Sequence, residues 1–231
     1  MLSDVMEDYL KAIFALQETE EPPVPPTMIA ERLEVTPPTV TSMMESLEEQ
    51  GLVTREKYAG VELTEEGETV ALEILRHHRL LEAYLAEHLD YEWSEVHEEA
   101  EVLEHHISEE FEKRVAEVLG HPATDPHGDP IPGMDLEPIA DDTTALSAFE
   151  PGAHLRVCRV RDGDPEILTH LADLGIEPGT ELELLDVTPL DVYQVAVGDD
   201  VRHLPEPTAE AVSVRPIEEE TTAQNRQARQ A

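Results

Sequence analysis

Apolar residues Val5, Met6, Tyr9, Leu10, Ile13, Phe14 and Leu16 recur at steps of three and four over residues 3–19, the period of an amphipathic helix. The run EPPVPP at 21–26 ends it, because proline excludes the helical conformation from the residue before it. A short helix is expected over 27–33. Thr36-Pro37-Pro38-Thr39 then opens another, with a Thr cap, Pro at the first helical position and a stripe of Val40, Met43, Met44 and Leu47 that stops at Gly51. Two short extended segments, 52–57 and 60–63, flank a Tyr-Ala-Gly turn, and Thr64-Glu65-Glu66-Gly67 starts a long helix. Helix, helix, turn, helix, hairpin is the order of a winged helix-turn-helix.

Residues 64–119 read as helical almost throughout, with a break near 90–93 and an end at Gly120-His121-Pro122. Neither period is present over 121–150, which is expected to be an irregular connector. Alternation returns at 154–160, 181–187 and 192–197 with turn residues between, the pattern of a small β-barrel. The expected fold class is therefore mainly α with a small β domain. Its expected divisions are 1–70, 71–140, a linker at 141–150, 151–217 and a polar, disordered tail at 218–231.

Charge complicates this picture. Fifteen Lys and Arg oppose 53 Asp and Glu, a formal net charge of −38, while apolar residues still make up 40% of the chain, enough for a core. So acidic a protein should repel nucleic acid and anionic membranes at ordinary ionic strength. The acids run through every segment, however, beside only three lysines, Lys11, Lys57 and Lys113. This resembles the composition of proteins from salt-accumulating halophiles, in which molar salt screens charge within a few Å. The overall charge then reports on the solvent, and local motifs must identify the ligand. A single cysteine, Cys158, in a strand pattern, excludes an internal disulfide and any CxxC metal knuckle, and is expected to be a small buried residue. No stretch approaches the roughly 18 apolar residues of a membrane helix, and the acidic N-terminus is unlike a signal peptide. The expected location is the cytoplasm, with no membrane partner.

His97, Glu101, Glu104 and His105 stand at i, i+4, i+7 and i+8, within roughly a third of a helix circumference. His78 and Glu82 repeat the i, i+4 spacing on the preceding helix, so two facing helices would present imidazole and carboxylate to a common gap. Mixed oxygen and nitrogen donors without thiolate suit Mn, Fe, Zn or Ni. The bland alternative is a solvated acidic face, which accounts for Glu98, Glu99, Glu109 and Glu110. His77 and His106 fall off the shared faces and are expected to be surface or packing residues.

Several segments together resemble the diphtheria-toxin-repressor family of metal-dependent transcription regulators: MEDYLKAI at 6–13, TPPTVTSMMESLEEQGLV at 36–53, HHRLLEAYL at 77–85, VHEEAEVLEHHISEE at 96–110 and PHGDPIPG at 126–133. LTHLADLGIEPGTELEL at 168–184 is similar to the SH3-like domain of the larger, iron-responsive members. The resemblance implies a winged helix-turn-helix DNA-binding domain, a helical metal-binding and dimerisation domain and a C-terminal SH3-like (FeoA-like) barrel. It implies a primary metal at Asp8, Glu101, Glu104 and His105 and an ancillary metal at His78, Glu82 and His97, with Asp164 or Glu166 completing the latter. Up to two Mn(II) or Fe(II) ions per chain would serve as corepressor. Iron-type members have Met and Cys where this chain has Asp8 and Glu101, which instead resemble the manganese type. Lys11, however, stands where the manganese type has a further glutamate. Without metal, Asp8, Glu101 and Glu104 should repel one another and hold the joint between the first two domains open; a divalent ion reverses the sign.

The implied partners are a second copy of the chain and double-stranded DNA with a palindromic operator near metal-homeostasis genes, with no small-molecule substrate. Thr36, Pro38, Thr39, Thr41 and Ser42 lie at the start of the recognition helix, where base edges are met, and Arg55 and Lys57 on the wing suit phosphate. Two other classes compete. A carboxylate–histidine metalloenzyme needs an HExxH or Glu-x-x-His pattern that is missing from this face. A metal-binding adaptor without DNA would leave the recognition helix without purpose.

Overall fold

The computed structural model describes residues 2–57, 59–136, 143–161 and 163–217. Those up to 92, 96–125 and 130–136 build a first unit, and 93–95, 126–129 and those from 143 onward a second.

In the first unit, Ser3 caps α1 (Asp4–Gln17), its Oγ accepting from the Met6 N–H, and Asp4 and Glu7 sit in the first turn, where acids favour the helix dipole. α2 (Pro26–Arg32) and α3 (Pro37–Glu49) follow. Thr36 occupies the N-cap position of α3 without a capping hydrogen bond from its side chain, which instead meets Thr39 Oγ1 at 2.9 Å. β1 (Val53–Glu56) and β2 (Gly60–Leu63) form the antiparallel wing, and Val24 of the Pro-rich connector bridges to Val61. Tyr58 of the expected turn lies outside the described residues.

α4 (Glu65–His88) starts on the Thr64 cap and runs unbroken across the division expected at residue 70. A Cβ on Gly67 would fall 1.9 Å from the Leu52 carbonyl oxygen, so only glycine lets this helix start so close to the wing. Leu10, Ile13, Ile29, Val40, Met44 and Leu47 pack with Val53, Val61, Ala71 and Leu72 into one core. α4 also packs against α1, α5 (Val96–Leu103) and α6 (Glu109–Val118). The helical stretch expected over 64–119 thus has a second break, at 104–108, where Ser108 caps α6 through the Phe111 N–H.

The second unit is a six-stranded antiparallel sheet in the order β3-β8-β4-β5-β6-β7, formed by β3 (Thr144–Ala145), β4 (His154–Val160), β5 (Glu181–Val187), β6 (Val192–Val197), β7 (Asp200–Pro205) and β8 (Val212–Pro216). The three strands expected from alternation have these same bounds. α7 (Pro165–Leu174) and α8 (Glu206–Ala211) pack with the sheet around Leu155, Leu168, Leu171, Ile176 and Leu184. The expected linker at 141–150 is corrected: it contains β3 and a 3-10 turn (Leu146–Ala148) whose Leu146 is fully buried. Cys158 is half-buried, not buried.

The motif at 126–133 also changes meaning, since residues 126–129 clamp β4. A Cβ on Gly128, at φ +88°, would lie 2.0 Å from the Cys158 oxygen, so the close approach requires glycine. Val160 donates to the His127 oxygen at 2.8 Å, and Asp129 pairs with Arg159 at 2.7 Å. Trp93 Nε1 donates to the Pro126 oxygen and His127 Nε2 to the Trp93 oxygen. These segments therefore belong to the second unit and not to the helical division at 71–140. The tail at 218–231 lies outside the described residues. No described helix is long and apolar enough to cross a membrane.

Candidate metal centre

α5 ends at Leu103, so Glu104 and His105 lie on the turn that follows and not on the helix face assumed from spacing. That turn stays tight because the Glu104 N–H donates to the Ala100 oxygen and the His106 N–H to the Leu103 oxygen. The result is two groups in place of one gap. Asp8, Glu101, Glu104 and His105 form the first, and His78, Glu82 and His97 the second; within each, one ligand atom per residue lies within 4.8 Å of the others.

In the first group Asp8 comes from α1, Glu101 from the end of α5, and Glu104 and His105 from the turn. His105 Nδ1 meets Glu7 Oε2 at 2.7 Å, while Nε2 faces Asp8 Oδ1 at 3.0 Å and Glu104 Oε1 at 3.5 Å. A proton on Nδ1, donated to Glu7, leaves the Nε2 lone pair turned toward the carboxylates, the tautomer a metal needs. Burial lowers the proton affinity of His105, but Glu7, Glu104 and Asp8 outweigh it, and its pKa is raised. Burial pushes the Asp8 carboxyl up, against the pull of His105 and Lys11. Glu104, whose side chain has no exposure, feels the same push from burial, yet the His78 hydrogen bond and the Lys11 charge hold it below the ordinary value.

In the second group His78 Nε2 lies 3.0 Å from Glu82 Oε1 and 3.1 Å from His97 Nδ1, which is itself 3.2 Å from the same carboxylate oxygen. Two imidazole nitrogens and a buried carboxylate oxygen at one point need a cation or a shared proton among them. Burial disfavours a charged His78, but Glu82 and the hydrogen bonds to Glu104 and Glu82 raise its pKa to about 9. His78 Nδ1 donates to Glu104 Oε2 at 2.5 Å, so one carboxylate belongs to the first group and orients an imidazole of the second. Both donor sets fit a hard or borderline divalent ion.

Two residues outside the expected ligand set complete the first group. Glu7 orients His105. Lys11 Nζ lies 2.8 Å from Glu101 Oε1 and 2.6 Å from Glu104 Oε1, so these two carboxylates are not left to repel one another. Helical spacing from Asp8 to Lys11 was the available signal. His77, expected to be a packing residue, is buried, with Nδ1 3.2 Å from the Glu104 carbonyl oxygen. His106 is exposed. Asp164 and Glu166 are exposed at the start of α7, where Asp164 Oδ1 accepts the Glu166 and Ile167 N–H groups; the acid has a capping role there.

In the winged domain, Thr36, Pro38, Thr39, Thr41 and Ser42 are all exposed along the first turns of α3. Lys57 is exposed on the wing. Arg55 reaches back to Glu45 and Glu48 of α3 at 3.4 and 3.6 Å.

A winged helix-turn-helix whose first helix shares a histidine–carboxylate cluster with the following helices defines a metal-responsive DNA-binding regulator. Three family models match the chain: iron dependent repressor, N-terminal DNA binding domain, over residues 1–61; iron dependent repressor, metal binding and dimerisation domain, over 64–133; and FeoA domain over 144–216. The iron-dependent repressor IdeR of Mycobacterium tuberculosis (strain ATCC 25618 / H37Rv) is 35% identical over 228 residues, covering 94% of this chain and 99% of its own length. The diphtheria toxin repressor of Corynebacterium diphtheriae (strain ATCC 700971 / NCTC 13129 / Biotype gravis) is 32% identical over 195 residues, 80% of this chain and 86% of that repressor. The solved structure of a manganese-dependent transcriptional repressor in complex with manganese matches with a TM-score of 0.85 at 38% identity, covering 92% of this chain and 100% of that one. The chain belongs to the iron-dependent repressor family: it is a metal-dependent transcriptional repressor and not an enzyme.

Proposed function

We propose that this repressor binds its operator when Mn(II) or Fe(II) is plentiful, holding one ion at Asp8, Glu101, Glu104 and His105 and a second at His78, Glu82 and His97. The observation that carries the reading is the meeting of Asp8 on α1, the first helix of the winged domain, with Glu101 at the end of α5 and Glu104 and His105 on the turn after it, all within 4.8 Å. A bound divalent ion supplies the positive charge that joins them. Asp8 transmits that restraint to the winged domain, Glu7 keeps the His105 ring in register, and Glu104 ties the two groups through His78. Three carboxylates in the first group favour Mn(II), while the imidazoles admit Fe(II).

The chain acts as a homodimer whose two α3 helices enter successive major grooves of a palindromic operator controlling metal-homeostasis genes, in the compartment that holds the DNA, the cytoplasm. Thr36, Pro38, Thr39, Thr41 and Ser42 meet base edges and sugar–phosphate, and Arg55 and Lys57 the flanking phosphates. The test is operator binding titrated with Mn(II), Fe(II), Co(II), Ni(II) and Zn(II). Mn(II) and Fe(II) should support binding at the lowest free concentrations. Equal operator affinity in chelator and in saturating metal would reject the reading.

A further inference from the structure

Two of the three carboxylates of the first group, Glu101 and Glu104, meet a cation from their own chain. Lys11 sits one helical turn after Asp8 and Glu7 on α1, with a side chain only 15% exposed, and its Nζ contacts Oε1 of Glu101 and Oε1 of Glu104. Glu104 Oε1 is also the oxygen that faces His105 Nε2. An ion held by this group and the lysine ammonium therefore draw on the same lone pairs. Asp8, Glu101 and Glu104 against Lys11 leave a formal charge of −2, which a single divalent ion neutralises.

Resting on the metal-site reading above, we propose that Lys11 is a tethered competitor of the metal: it holds α1 to the end of α5 when divalent ions are scarce and sets the free concentration at which the first site fills. The switch is then an exchange of a monovalent tether for a divalent one, not a release of bare repulsion. Lysine suits the task, since its flexible four-carbon stem keeps a packed position while the ammonium moves aside, and its charge is a compact point.

The experiment measures Mn(II) affinity of the full chain by competition with a fluorescent chelator, and thermal unfolding in chelator, for wild type, Lys11→Met, Lys11→Gln, Lys11→Arg and a His105→Ala control. Removing one unit charge a few Å from the ion should tighten Mn(II) binding in Lys11→Met and Lys11→Gln by about tenfold or more, and both should unfold at a lower temperature than wild type in chelator. Lys11→Arg should keep both properties near wild type. Unchanged or weaker Mn(II) affinity in whichever neutral variant folds would overturn the competitor role. A wild type that binds Mn(II) no more tightly than His105→Ala would instead remove the metal-site reading on which the proposal stands.

Discussion

Glu104 joins the two halves of the centre: one carboxylate oxygen faces Lys11, the other accepts from His78, and the side chain is fully buried. Glu104→Ala therefore does more than remove one member of the proposed metal group, because it leaves an ammonium and an imidazolium without their shared counter-charge. Breaking one side of a buried pair costs about 3–5 kcal/mol. Glu104→Ala should lose metal-dependent operator binding and also unfold at a markedly lower temperature in chelator. His105→Ala, which removes a ring that Glu7 merely orients, should lose the metal response with a smaller drop; equal stability losses by calorimetry would show that Glu104 does not carry this burden. The second group yields a pH prediction whose sign follows from His78. Its pKa is raised to about 9, so the ring is protonated below that value, and a metal at His78, Glu82 and His97 must displace the proton. Mn(II) affinity of this group should rise as pH increases from about 6.5 to 9 and level off above it. Calorimetric titration of the His105→Ala chain, with the first group disabled, would reject the assignment if affinity were flat across that window.

At the level of elements, what the sequence made legible divides by how much of the signal is local. α1, α3, β4, β5 and β6 carry their own period, and each forms where the pattern puts it. The end of α5 does not announce itself: Glu104, His105 and His106 are compatible with helix, and only the contact with α1 and the Ser108 cap of α6 turn the chain there. That is why the spacing of His97, Glu101, Glu104 and His105 pointed to one helix face and one gap, where the structure has two groups and puts Glu104 and His105 on a turn. Leu146 was illegible for the opposite reason: its short stretch carries no period of its own, and its burial depends on a sheet formed later in the chain. Lys11 was visible as a departure from the family pattern, but its ion pairs with residues 90 and 93 positions away are tertiary. The same elements leave apolar side chains in water. Val102, Phe111 and Val118, on α5 and α6, are 64%, 45% and 60% exposed in the single chain despite its net charge of −38. We expect these helices to form the twofold interface of the dimer. Phe111→Asp should shift sedimentation toward monomer and weaken operator binding while leaving Mn(II) affinity in place; an intact dimer would move the interface elsewhere.

For the whole molecule, the net charge sets how DNA is approached. A repressor making 6 to 10 phosphate contacts loses about three to five decades of affinity between 50 and 200 mM salt, because binding releases cations condensed on DNA. Here the exposed start of α3 offers hydroxyls and a proline, and Arg55 on the wing is shared with Glu45 and Glu48, so few positive charges would be available there to release those cations. The surrounding carboxylates must keep their own counterions near the interface and take up more as phosphates approach. Uptake opposes release. For metallated protein we therefore expect a weak, absent or inverted slope of log affinity against log KCl between about 0.5 and 3 M, with specificity resting on hydrogen bonds and apolar contacts from Thr36 to Ser42. Fluorescence anisotropy with labelled operator across that range decides the matter. A steep negative slope would mean that a concentrated basic footprint governs binding, and the interpretation of the acidic surface as an adaptation to molar salt would fall with it.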